Sequence, residues 1–288
     1  MTAAPAIGVI GGSGLYDIPG LANPIEHTVS TPWGEPSDTI VGGELDGRQV
    51  FFLPRHGRGH RIMPHELNHR ANVYALRSLG VRWIICVTAV GSLRERYQPR
   101  HMVLPSQFFD RTSRRTEHTF FGEGIVAHVG FAEPTCKPLR ALLAAAAAEE
   151  GVTAHEGGTY VNMDGPAFST RAESEANRLL GFDVIGMTNL GEAKLAREAE
   201  IALATMAFIT DYDCWKVDEE PVSGDAVMAH VAANAEAARR ILARVVPRLP
   251  QEPTWPEHTA LDAALITPRE YWPQATVERL GPILARKV

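Results

Sequence analysis

Four apolar runs, at 7–10 (IGVI), 50–53 (VFFL), 83–87 (WIICV) and 201–209 (IALATMAFI), are separated by stretches of helical patterning. No other feature narrows the fold as much. Runs this short, bounded by glycine, proline or threonine, read as buried strands. Residues 64–79 start at Pro64, which suits a first helical turn, and stop at Gly80. Residues 138–150 carry five consecutive alanines between Pro138 and Gly151 and read as one helix with a small-residue face. Thr170-Arg-Ala-Glu173 has capping-box spacing ahead of a helix ending near Gly181. A long helical pattern over 222–246 closes at Pro247, and Thr267-Pro-Arg-Glu270 opens a last helix by the same capping logic. The alternation predicts an α/β fold, a sheet with helices on both faces. No repeat or Gly/Ser/Pro-rich linker divides residues 1–288, so one domain is expected. Residues 247–288 form an irregular segment followed by a C-terminal helix, with four prolines in 247–266.

Composition excludes several functions. A formal charge of −6 gives no electrostatic reason to bind nucleic acid or an anionic membrane. No apolar run approaches the ~20 residues of a membrane span. Cys86, Cys136 and Cys214 are odd in number and far apart, which fits a reducing compartment better than a disulfide framework. The opening Met1-Thr-Ala-Ala-Pro has no basic n-region, so the expected location is the cytoplasm.

The strand ends carry the chemistry. Gly11-Gly-Ser-Gly14 follows the first run, where glycines let backbone N–H groups turn toward an anion and Ser13 adds a hydroxyl. It lacks the spacing of a dinucleotide fingerprint or a nucleophile elbow, and alone it reads more readily as an ordinary strand-exit turn. Pro54-Arg-His-Gly-Arg-Gly-His60 follows the second run, placing Arg55 and His56 where a guanidinium can pair bidentately with phosphate. Alone, it is also a solvated basic loop. Thr88-Ala-Val-Gly-Ser92 ends the third run with a hydroxyl and turning amides. In an open α/β sheet, carboxyl ends of strands line the ligand crevice. Three such ends suited to one anion are more informative than any one.

Two further patterns need weighing. His65-Glu-Leu-Asn-His69 satisfies the zinc-protease H-E-x-x-H. However, Pro64 puts His65 at a helix end, and no third ligand of the extended pattern follows. Thr210-Asp-Tyr-Asp213 closes the fourth run. Two aspartates at i and i+2 on an extended segment point to the same side. Such a pair can accept from an exocyclic amino group and, with one carboxyl protonated, donate to a ring nitrogen. It also fits a solvated turn or a divalent metal.

Together, IGVIGGSGLYD (7–17), PRHGRGHRIMPHELNHRANVYAL (54–76), TAVGSLRE (88–95), MDGPAFSTRAES (163–174), GMTNLGEAKLAREA (186–199) and TDYDCWK (210–216) resemble the 5′-methylthioadenosine phosphorylase branch of the purine nucleoside phosphorylase family. The blocks run in family order over most of the chain. The resemblance implies a single phosphorylase domain with a central mixed β-sheet flanked by helices. It implies a phosphate site from Ser13, Arg55, His56, Thr88, Ala89 and Thr188. Met187 would lie under the ribose, Phe168 would stack on the purine with Ser169 at its edge, and Asp211 and Asp213 would read the base. His128 would reach across a boundary between subunits of a homotrimer toward a neighbour's 5′ substituent. Gly224 and Val227 would line the 5′ pocket, and HELNH would open a helix beside the phosphate loop without metal.

The implied reaction is phosphorolysis of 5′-methylthioadenosine to adenine and 5-methylthioribose 1-phosphate, in purine and methionine salvage. Inorganic phosphate is a co-substrate, and no metal or organic cofactor is needed. Asp211 would protonate the purine N7 while Asp213 holds the 6-amino group. A 6-oxopurine enzyme of the superfamily typically has asparagine where Asp211 stands. Two departures concern the 5′ end: Ala167 replaces a frequent arginine, and Gly224 replaces an aliphatic residue, which enlarges the pocket toward 5′-deoxyadenosine or adenosine. The competing readings are phosphorolysis of another purine nucleoside such as methylthioinosine, a hydrolytic nucleosidase, a non-catalytic nucleoside-binding module, and a zinc peptidase built on His65 and His69.

Overall fold

A computed structural model describes residues 5–12, 15, 18, 20–113, 117–216 and 224–288, without the side chains of 224–229 and 232. In chain order the first part holds β1 (Ala6–Gly11), β2 (Ala22–His27), β3 (Ile40–Leu45), β4 (Arg48–Pro54), α1 (His69–Ser78) and β5 (Val81–Ser92). Then follow β6 (Met102–Leu104), β7 (Gln107–Arg111), α2 (Lys137–Glu149), β8 (Ala154–Glu156), β9 (Thr159–Met163) and α3 (Arg171–Leu179). The chain continues through β10 (Val184–Gly186), α4 (Asn189–Glu198), β11 (Ala202–Asp211), α5 (Gly224–Val245) and α6 (Gln274–Leu280).

The strands form one mixed sheet in the order β2-β3-β4-β1-β5-β10-β9-β7, with β11, β6 and β8 branching from β5. β5 is the organising strand. It runs parallel to β1 on one edge and to β11 on the other. Beyond the end of β1, its Gly91 and Ser92 take β10 in antiparallel pairing.

Alternate side chains of a strand face opposite ways, and the cores follow that rule. Ile7, Val9, Trp83 and Ile85 pack with Leu139 and Leu143 of α2 and Ile241 and Leu242 of α5. Ala6, Ile10, Ile84 and Cys86 pack with Val73 and Leu76 of α1, Ala193 and Ala196 of α4, and Leu280 of α6. Helices thus cover both faces, as the alternation predicts. Residues 247–288 pack back on this body. Arg48 Nη1 donates to the Leu249 carbonyl at 2.8 Å, and His258 sits edge-on to Trp83 with ring centroids 5.4 Å apart.

Three local expectations are corrected. The first helix does not run from Pro64. A 3-10 turn spans Pro64–Glu66, and α1 begins at His69 because the Asn68 side chain accepts from the Ala71 N–H at 3.1 Å. Thr267 does not cap a helix; its hydroxyl accepts from the Val126 N–H at 2.9 Å, and α6 waits until Pro273. The segment through Asp213 is not extended. β11 ends at Asp211, and Asp213 turns into the left-handed region at φ +53°. The capping box at Thr170 is formed as expected, with the Glu173 N–H bonded to Thr170 Oγ1.

Candidate active site

β4, β1, β5 and β11 are parallel neighbours, so their carboxyl ends emerge on one side. Gly11 pairs with Pro54, Ile10 with Cys86, Thr88 with Ala207, and Gly91 with Asp211. Two strand positions betray the crevice: Ala89 is exposed and Thr88 half-buried, directly after the buried run 83–87.

The arginine expected to fork onto phosphate is turned inward. Arg55 Nε lies 2.5 Å from Glu192 Oε1 and Nη2 lies 3.0 Å from Oε2, with both side chains buried. Nη1 donates to the Val87 carbonyl at 2.9 Å, and Nη2 also reaches the Ile10 carbonyl at 3.4 Å. Of the five N–H bonds of a guanidinium, one on Nη1 remains. The bidentate partner is therefore Glu192, a residue that sequence alone did not single out. On α4 it looks like an ordinary surface glutamate, and only its complete burial sets it apart. Burial works against both charges, yet each partner outweighs it: the Glu192 carboxyl is held below its ordinary range and the Arg55 guanidinium above.

His56 begins the loop after β4. Its Nδ1 lies 2.8 Å from the Ile62 carbonyl, so Nδ1 carries the hydrogen and Nε2 offers a lone pair. Burial, then the charge of Arg55, lowers its pKa to about 4. The ring stacks on His60 at 4.4 Å. Asp38 anchors the loop, accepting from the Arg58 N–H at 2.6 Å and the Thr39 N–H at 2.8 Å. Thr188 is buried at the N-cap position of α4, where helix amides favour an anion. Ser13 lies outside the described residues.

The purine-reading candidates gather at the far end of β5. A Cβ placed on Gly91 would lie 3.0 Å from Asp211 Oδ1 and 3.4 Å from Asp213 Cβ. Asp211 accepts from the Thr210 hydroxyl at 2.7 Å and the Asp213 N–H at 2.8 Å. Burial raises the pKa of Asp211 and the charge of Asp213 adds to it, against those two bonds. Burial also raises that of Asp213, against the hydroxyls of Ser174 and Ser169. Among the described residues, Asp213 Oδ2 is buried with those hydroxyls near but without a well-formed hydrogen bond. The Cys214 thiol donates to the Ser169 carbonyl at 3.2 Å, bringing the loop after β9 to this end. In the same loop Gly165 lies against Met187, its would-be Cβ 2.5 Å from the sulfur, while Phe168 is 50% exposed.

Arg55, Thr88, Ala89, Thr188, Met187, Ser169, Asp211 and Asp213 are thus carried on neighbouring strand ends and the loops packed on them. His128 is exposed, in a segment tied to the C-terminal region by its N–H on the Ala264 carbonyl at 2.9 Å. Gly224 starts α5 and Val227 lies in its first turn, but the side chains there are outside the description. His65 and His69 fall on separate elements, not one turn apart on a single helix. Both line a narrow polar cavity of ≈ 20 Å³ shared with Asn162, Asp164, Met187 and Thr188. Among the described residues, no group of three His, Cys, Asp or Glu side chains is disposed to hold a metal.

Against known proteins, the sequence profile described as "Phosphorylase superfamily" matches residues 6–247. A Geobacter sulfurreducens protein named S-methyl-5′-thioadenosine phosphorylase is 52% identical over 98% of this chain and 99% of its own length. A Gloeobacter violaceus protein of the same name is 54% identical over 97% of this chain and 95% of its own. The crystal structure of a methylthioadenosine phosphorylase from an antarctic soil metagenomic library superposes with a TM-score of 0.92 at 48% identity, covering 98% of this chain and 99% of that one. A Schistosoma mansoni methylthioadenosine phosphorylase in complex with adenine gives 0.80 at 38%, covering 84% and 91%.

Proposed function

The chain belongs to the phosphorylase superfamily, and from that premise we propose that it is a pentosyltransferase cleaving 5′-methylthioadenosine with phosphate. The products are adenine and 5-methylthioribose 1-phosphate. The observation that carries this reading is the spacing along β5. Thr88, a candidate oxyanion contact, and Gly91, against which Asp211 packs, are three residues apart on one strand. That is ~10 Å at about 3.3 Å per residue, which leaves room for a sugar between an anion and a base.

Breaking the ribosyl–purine bond leaves positive charge on the sugar and negative charge on the leaving base. Preorganised charge stabilises both. Phosphate, held by Ser13, His56, Thr88, Ala89 and Thr188 beside the Arg55–Glu192 pair, supports the cationic ribosyl and then attacks C1′. A neutral His56 ring, its Nε2 an acceptor, suits a protonated phosphate oxygen. Met187 lies under the ribose. Asp211, its pKa raised by burial, carries the proton given to N7 of the purine. Asp213 Oδ2, buried and without a well-formed hydrogen bond among the described residues, accepts from the 6-amino group, and Phe168 closes over the ring from its exposed position. The chemistry needs no metal or organic cofactor. Gly224 widens the 5′ pocket, so 5′-deoxyadenosine and adenosine are secondary substrates.

The reading extends to a cytosolic homotrimer serving purine and methionine salvage, in which His128 of one subunit reaches the crevice of the next. The exposed Val126 (45%) and Ile266 (59%) beside that segment support a covered surface. The three unpaired cysteines support a reducing compartment, and no described helix is long and apolar enough to cross a membrane.

Adenine release from methylthioadenosine, 5′-deoxyadenosine, adenosine and methylthioinosine, with and without phosphate, tests this. Phosphate-dependent release, fastest from methylthioadenosine, is expected. Equal release without phosphate identifies a hydrolase and overturns the reading.

A further inference from the structure

We propose that Tyr160 is a positioning residue for the oxyanion site, its hydroxyl bracing the Thr88 hydroxyl once the latter turns to phosphate. The inference rests on the reading of Thr88 as a phosphate contact.

The ring of Tyr160, on β9, is fully buried among Val90, Val103, Val184 and Ala207. Packing alone explains an aromatic residue there. It does not explain the oxygen, which among the described residues has the Thr88 hydroxyl and the Thr188 backbone near it but no well-formed hydrogen bond. A phenolic O–H out of water and without an acceptor costs stability that phenylalanine would avoid. The backbone nevertheless makes room for it: a Cβ at Gly186 would fall 1.9 Å from Tyr160 Oη. The oxygen is therefore seated over a glycine of β10, two residues before Thr188.

Its polar surroundings come from the proposed phosphate site. Burial raises the pKa of the phenol, against the charge of Arg55, the Thr88 hydroxyl and the Thr188 backbone. Among the described residues, the bond of the Thr88 hydroxyl that meets hydrogen-bond geometry is a long one, 3.3 Å to the carbonyl of the next residue, Ala89. That leaves it ready to re-aim. When Thr88 O–H donates to a phosphate oxygen, its oxygen accepts from Tyr160 O–H, and two weakly engaged hydroxyls form a chain ending on the anion. Tyr160 then touches no substrate and acts through Thr88.

The signature is a substitution that spares the fold and weakens the anion site. In the full-length protein, Tyr160→Phe raises KM for phosphate roughly 3- to 10-fold, the worth of one hydrogen bond. KM for methylthioadenosine stays within about two-fold. The thermal midpoint without phosphate is equal or higher, and the upward shift that phosphate induces is smaller. On a Thr88→Val background the same change adds nothing to KM for phosphate. An unchanged KM for phosphate in Tyr160→Phe, or a full additional loss on the Thr88→Val background, overturns the relay. A lowered midpoint with both KM values raised also overturns it, in favour of packing. If the unaltered protein releases adenine without phosphate, the functional reading itself fails; if it requires phosphate and Tyr160→Phe does not differ, only the relay fails.

Discussion

The guanidinium of Arg55 is clasped edge-on by the carboxylate of Glu192, at 2.5 and 3.0 Å, in the interior between β1, β5 and α4. Asn189 Nδ2 donates to the same carboxylate at 3.0 Å, and Thr205 donates to Asn189 Oδ1 at 2.7 Å. The floor of the crevice is therefore a polar network with its charges already matched, and a bound anion meets it from above.

Removing one partner strands the other charge. Glu192→Ala should destabilise by about 3–5 kcal/mol, the usual cost of orphaning a buried ion, read from urea unfolding. The double change Arg55→Met with Glu192→Met should recover much of that loss while leaving KM for phosphate raised. A double variant as unstable as Glu192→Ala would show that packing, not charge matching, dominates.

Gly91→Ala tests how closely Asp211 is placed. The added methyl meets Asp211 Oδ1 at 3.0 Å and Ile185 Cγ2 at 3.1 Å, so the carboxylate must yield by a few tenths of an ångström. We expect a modest loss of stability and a fall in kcat of at least ten-fold, since small misplacements of a reacting group are costly. Stopped adenine-release assays with saturating phosphate measure it; full kcat would mean that the position of Asp211 is not limiting.

Asp211→Asn cannot carry the proton to N7. A fall in kcat of roughly 10²–10⁴ is expected, the usual contribution of general acid assistance, with a smaller effect on KM for phosphate. Asp213→Asn should chiefly erode discrimination between 6-amino and 6-oxo nucleosides, measured as the ratio of kcat/KM for methylthioadenosine and methylthioinosine. An unaltered ratio would remove Asp213 from base recognition.

The buried histidines His56 and His258 make stability rise with pH between about 4.5 and 6.5. Burial holds His56 and His258 down to about 4 from 6.5. In that window the unfolded chain binds more protons at these sites, and each histidine's contribution is lost as pH falls. Burial raises Glu198 from 4.5 to about 7, so its contribution runs the other way, lost as pH rises. These two histidines oppose Glu198, and the raised carboxyls of Asp211 and Asp213 act with Glu198, so the slope is the balance of the two sets. Glu198→Gln removes one opposing contribution and should make the slope more positive, as read from urea midpoints at several pH values. A less positive slope in that variant would contradict the sign.

What could be read from sequence were features whose physics is local. The runs ending at Gly11, Pro54 and Thr88 read as strands because apolar burial and turn chemistry coincide there, and Thr170–Glu173 forms its capping box within four residues. The start of α1 was harder. Pro64 and Asn68 are both competent starts, and Asn68 wins with help from a distant partner, its Nδ2 donating to the Trp33 carbonyl at 2.6 Å. Three-residue strands such as β8 and β10 are too short to show a period. In the candidate site, Thr88 and Asp211 were visible as strand-end residues of suitable chemistry. Glu192 and Tyr160 were not, because their significance lies in burial, and burial depends on neighbours 137 residues away for the Arg55–Glu192 bond.

The segment carrying His128 is laced to the end of the chain. Val126 and Ala127 meet Leu265 and Thr267, and the Thr276 hydroxyl donates to the Glu123 carbonyl at 2.7 Å. The far terminus thereby acts as a tuning peg for that loop. Lengthening, trimming or restiffening residues 264–276 would re-pose His128 without altering a single side chain of the crevice, and in the proposed trimer that is a remote way to adjust how one subunit would meet its neighbour's ligand.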